Sequence, residues 1–147
     1  MLFRSEQTKW MSDLLHDSST STVLAVVTPE EMPVVETIEL RDRLQKATPI
    51  DFAGVIVNRM PVDVVDETVL SLARAAASDG DLEVSIAVAD WLVARRGAAE
   101  NHARRLAEAF ELGNVETISE APAETGSPAQ VTEHVVRELQ RILQEHG

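Results

Sequence analysis

The sequence predicts an α/β fold, with a partial parallel sheet of about three strands and helices enough to cover both faces. Three observations carry this. Two short, unbroken apolar runs rich in β-branched residues, Val23–Val27 and 52–58, flank an amphipathic stretch at 34–47. A third short run, 115–118, precedes a loop and a strongly amphipathic final segment. Apolar runs without alternation are what strands buried on both faces look like, as in a parallel sheet.

Taken in order, residues 1–21 are polar and mixed. Phe3, Trp10, Met11, Leu14 and Leu15 suggest a short helix ending near Asp17, followed by a Ser/Thr linker of poor helix propensity. After the first strand, Thr28-Pro29-Glu30-Glu31-Met32-Pro33 reads as a turn. Thr28-x-x-Glu31 fits a capping box, but a start at Pro33 keeps the proline out of the first turns and is preferred. Val34, Ile38, Leu40 and Leu44 form the apolar side of the helix, and Pro49 ends it. Strand, helix and strand at this spacing make a βαβ unit with parallel strands and a right-handed crossover.

Residues 62–113 read as three helices, each stopped by a glycine suited to a left-handed C-cap: Gly80, Gly97 and Gly113. Their expected inward residues include Val69, Leu70, Leu72, Val84, Val88, Trp91, Leu92, Ala103, Leu106 and Phe110. The loop 121–129 is rich in Pro, Gly and Ala. Val131, Val135, Val136, Leu139, Ile142 and Leu143 then fall on one face of a last helix. Three strands are few for a doubly wound domain, so an exposed sheet edge and an exposed apolar face are expected.

Composition removes several functions. The chain has no cysteine, which excludes disulfides, cysteine-ligated zinc and thiol catalysis within it. A net charge of −12 argues against nucleic acid or anionic lipid as a general partner. No apolar stretch approaches a membrane span and no signal peptide is visible, so the default expectation is cytoplasmic. The four histidines read as surface residues, and Arg95-Arg96 and Arg104-Arg105 as solvated pairs on neighbouring helices.

In open α/β sheets, ligands bind beyond the carboxyl ends of the strands. Here those ends are Thr28-Pro29-Glu30, Asn58-Arg59-Met60 and the stretch from Glu120 through Pro122 and Ala123 to Glu124. The Asn58 amide offers a donor and an acceptor, which suits the edge of a purine; equally, it could satisfy the turn that follows. Pro122 could stack on a base, or sit in an ordinary surface loop. Glu30 and Glu31 could touch a ribose or a neighbouring subunit, or simply favour a helix N-terminus. A phosphate loop is absent from these 147 residues: the six glycines are isolated, the only lysines are Lys9 and Lys46, and no Gly-Lys pair exists.

The segments Thr22-Val23-Leu24-Ala25-Val26-Val27-Thr28-Pro29-Glu30, Val35-Glu36-Thr37-Ile38-Glu39-Leu40 and Gly54-Val55-Ile56-Val57-Asn58-Arg59 resemble the ArsA-type ATPases. That family includes arsenite-pump ATPases and the factor that targets tail-anchored membrane proteins. The resemblance is good from Thr22 to Met60 and weaker, but in register, from Val115 onward. It implies that 22–147 is the C-terminal half of a doubly wound P-loop NTPase-type domain. It also implies dimers with ATP at the interface, adenine recognition by Asn58 with Arg59 beside it, and a loop of Pro122, Ala123 and Glu124 closing over the base. Magnesium and the catalytic residues would belong to the absent N-terminal half. The expected partners are therefore another copy or such an N-terminal ATPase half, with a client protein at the helices of 62–113. The other reading is a non-catalytic interaction module with a vestigial nucleotide site.

Overall fold

A computed structural model describes residues 3–62, 65–76, 80–122 and 126–145. Five helices and three strands follow in the order α1 (Phe3–Leu15), β1 (Val23–Val27), α2 (Glu31–Ala47), β2 (Phe52–Met60), α3 (Glu67–Ala76), α4 (Gly80–Ala109), β3 (Glu116–Ser119) and α5 (Pro128–Glu145). The sheet order is β1-β2-β3 and both pairings are parallel. The fold is thus α/β with a three-stranded parallel sheet, consistent with part of a doubly wound P-loop-type domain. The βαβ unit forms where the apolar runs predict it.

Register separates the sheet into two faces, because aligned residues of parallel strands point the same way. On one face, Ala25 aligns with Val55, and Val27 with Val57. α2 and α4 cover this face, and Val34, Ala99, Ala103, Leu106, Ala107 and Phe110 close the core over it. Small residues at 99, 103 and 107 let α4 approach the strands closely, while Phe110 meets Phe52 edge-to-face at 5.1 Å. On the other face, Leu24 aligns with Gly54, Val26 with Ile56, and Asn58 with Ile118. Among the described residues only α5 covers it, on the β3 side, where Ile142 packs on Ile56 and Ile118. Leu24 and Val26 remain 54% and 60% exposed. The expected open edge and apolar face are therefore both present.

Three details differ from the sequence expectation. α2 starts at Glu31, with Glu30 as N-cap and no side-chain cap, so the capping box does not form. Pro33 is tolerated because the first intrahelical bond is Val34 N–H to Glu30 O, one residue later. Residues 82–109 belong to one helix and not two: Gly97 lies inside α4, where one glycine costs only about 1 kcal/mol against Ala. None of the described glycines has a positive φ; the left-handed residue after α4 is Glu111, at φ 56. Last, the expected inward stripe of α3 and early α4 points outward. Leu70 is buried, yet Val69, Leu72, Val84, Val88 and Trp91 are exposed, Val84 by 70%. α5 likewise leaves Val131, Val136, Leu139 and Leu143 exposed and buries Ile142.

Candidate functional site

The carboxyl ends of all three strands meet at one edge of the sheet, and β2 carries the central residues there. Asn58 is half-buried near the end of β2, on the face that α5 and the open strip share. Its Oδ1 accepts the Arg59 backbone N–H at 2.9 Å. Arg59 takes φ 61, an unfavourable region for a side chain with a Cβ, and the β2–β3 register slips between Asn58 and Met60. Asn58 therefore does satisfy its following turn, as the simpler reading had it. One lone pair of Oδ1 and the whole of its NH₂ group are not used by that bond.

Arg59 lies on the α4 side of the edge, the side of Val55 and Val57. There it lines a cleft of about 270 Å³ with Pro29, Glu30, Pro61, Arg95 and His102. Arg95 of α4 reaches across to Glu120, just past β3, in a bidentate pair: Nη1 to Oε1 at 3.0 Å and Nη2 to Oε2 at 2.8 Å. The Arg95 guanidinium also lies over Trp91, 5.8 Å from the ring centre. These hydrogen bonds hold the Glu120 carboxyl below its ordinary range, against the effect of burial, and Arg59 adds to the field. Arg95 is correspondingly raised, first by the same hydrogen bonds. The Glu120 N–H donates to Met60 O at 2.9 Å, so β2 and β3 stay bonded past the last paired residues. Arg96 donates to Pro61 O and pairs with Glu100 at 2.7 Å. The two arginines are thus tied to the strand exits and are not a solvated pair; 95-96 and 104-105 also share one helix.

The predicted residues are partly assembled. Asn58 and Arg59 sit at the same edge but serve opposite sides of it. Pro122 is exposed two residues beyond Glu120, at the same edge. Ala123 and Glu124 lie outside the described residues. Asn58 and Pro122 do not line the α4-side cleft. Two histidines are not simple surface residues. His102 lines the cleft, and half-buried His134 of α5 bonds Ser119 O through Nε2 at 2.9 Å. Arg95 and Glu120 stand 25 residues apart, so no local pattern could have paired them.

A parallel sheet whose strand ends converge at one edge, with an asparagine on one side and a salt-bridged cleft on the other, defines the class: an α/β unit consistent with part of a doubly wound P-loop-type domain, a fold in which ligands bind at that edge. The family model described as anion-transporting ATPase matches residues 1–79, more than half of the chain, and the protein belongs to that family. The match begins at residue 1, so it takes in α1, which the motif resemblance starting at Thr22 left out. A comparison with curated proteins gives no match. Among the described residues, no helix is long and apolar enough to cross a membrane.

Proposed function

We propose that this chain is the adenine-recognising part of an ATP site of the anion-transporting ATPase family, with phosphate binding and hydrolysis supplied by a segment carrying the phosphate loop. The observation that carries this reading is the position of Asn58. It stands at the end of the central strand, within the residues that the family model matches, with its NH₂ and one Oδ1 lone pair uncommitted by the turn bond. Such an amide can donate to a ring nitrogen of adenine and accept from its exocyclic amine. Pro122, with Ala123 and Glu124 after it, would bound the base from the β3 side. Arg59 would contribute charge at the rim.

The donor set fits the base better than the phosphates. Arg95 is committed to Glu120, and the chain has no Gly-Lys pair to cradle a triphosphate. Bound ATP would supply the phosphoryl group, and magnesium would be held by the other segment. This chain's own residues would orient the base and exclude water from its edge. Calorimetric titration of the full chain with adenosine and with magnesium-ATP tests the reading. Similar affinities for both, abolished by Asn58→Ala, are expected. Absence of binding to either, including in the presence of a phosphate-loop segment, would refute it.

A second reading has its own support. Val69, Leu72, Val84, Val88 and Trp91 make an outward apolar surface on α3 and α4, as an interaction module would need. It is favoured if nucleotide never binds while Trp91→Ala weakens capture of a partner.

A further inference from the structure

β3 is an outer strand of the described sheet, and α5 holds its outer edge. Glu120 N–H turns inward, to Met60 O of β2. Backbone groups alternate in direction along a strand, so those of Thr117 and Ser119 turn outward. Outward carbonyls of an edge strand are normally left to water or to pairing. Here α5 takes both. Arg141 Nη2 donates to Thr117 O at 3.0 Å, and His134 Nε2 to Ser119 O at 2.9 Å. A carbonyl can only accept, so Nε2 carries the imidazole proton in this contact. His134 and Arg141 are seven residues apart, about two helical turns, and lie on one stripe of α5.

The same stripe starts at the N-terminus of α5. Ser127 N–H donates to Gln130 Oε1 at 3.0 Å, and Gln130 N–H to Ser127 Oγ at 3.3 Å, a reciprocal cap. Gly126 N–H also donates to Gln130 Oε1, at 3.0 Å. The connection from β3 to α5 is therefore held at both ends. At its end, the cap holds Gly126 and Ser127. At its start, Arg95 holds the Glu120 carboxylate from the α4 side, and His134 holds Ser119 from the α5 side. The two grips differ in kind. Arg95 binds a side chain, whereas His134 binds the main chain itself. Pro122 comes three residues after Ser119 and four before Gly126. His134 is half-buried and lines no cleft with Asn58, so it acts on this edge only through Ser119.

We infer that His134 is a positioning residue for the base: by fixing Ser119 O against α5 it sets where Pro122 stands, so that a base at Asn58 meets a wall already in place. A wall that needs no ordering on binding adds affinity. This rests on the adenine reading of Asn58 and adds to it a residue that touches no ligand. The test uses the full chain. His134→Leu keeps bulk and removes the donor, while His134→Gln restores an N–H donor at similar reach. Without nucleotide, hydrogen exchange at Glu120 N–H should quicken about tenfold in His134→Leu and stay near wild type in His134→Gln. With adenosine, His134→Leu should bind about five- to tenfold more weakly, the effect of one lost neutral hydrogen bond, and His134→Gln within about twofold of wild type. Arg141→Gln, which frees Thr117 O further from the loop, should leave adenosine affinity within about twofold. His134→Ala repeats the loss should His134→Leu not fold. Unchanged exchange in both donor-free variants would overturn the inference whatever the affinity. Equal losses in His134→Leu, His134→Gln and Arg141→Gln would also overturn it, in favour of a general loosening of β3. A wild type that binds no adenosine would instead refute the reading of Asn58, and the exchange rates would still decide whether His134 fixes the loop.

Discussion

The two faces of the sheet are made from the same three strands, yet one is finished and the other is not. On the finished face, α2 and α4 bury Val27, Val55 and Val57 under Leu106 and Val34, both of which are fully buried. On the other, α5 protects Ile56 and Ile118 and leaves Leu24 and Val26 to solvent. Stability resides in the first face. The residue expected to recognise a base, Asn58, belongs to the second, as do the exposed Leu24 and Val26. The closed face holds the end of β2 in place, and on the proposed reading the open face would present Asn58 to a base.

The contrast can be broken by mutation. Leu106→Ala removes a fully buried side chain from the closed core, and should cost about 3 kcal/mol in urea unfolding. A loss under about 1 kcal/mol would mean that the closed face is not the stabilising one. The Arg95–Glu120 pair ties α4 to the strand exits at the rim of that face, and Glu120→Gln should cost about 1 kcal/mol at neutral pH. Because the Glu120 carboxyl is lowered in the folded chain, this contribution is present above its ordinary pKa of 4.5 and fades as pH falls through its lower folded value. Wild type and variant should therefore converge in stability in acid; a constant difference would assign the loss to packing.

Gly97→Ala sharpens the account of α4, with an effect of similar size and opposite sign. A Cβ there meets nothing within 4 Å, so a continuous helix should gain up to about 1 kcal/mol. Destabilisation would restore a helix break at Gly97. The smallest effect belongs to the open face: Val26→Thr should change the stability of the dilute chain by less than about 0.5 kcal/mol. A larger loss would mean that something already covers β1.

Much of the finished face could be read from residue order. The β-branched runs at 23–27 and 52–58 and the intervening helix follow from apolar pattern, and the convergence of Pro29, Asn58 and Glu120 at one edge follows from parallel topology. What escaped depends on tertiary context. Gly97 resembles a stop, but packing of Ala99 and Ala103 on the sheet carries α4 through it. Val84, Val88 and Trp91 have the spacing of a core stripe, yet no described element lies over them; spacing tells which residues share a face and not what faces them. Asn58 is legible as an edge residue, but its bond to Arg59 N–H and the φ 61 that accompanies it arise from the bulge where β2 leaves β3. Arg95 and Glu120 could be joined only by the fold.

The most direct test of the proposed role is the Asn58 side-chain amide itself. In a nitrogen-15-labelled chain titrated with adenosine, the Asn58 Nδ2 resonances and the Arg59 backbone amide should shift together and saturate, with residues of the closed core unmoved. If these resonances stay in place at saturating adenosine, or the shifts gather on α3 and α4, the chain does not recognise adenine through Asn58.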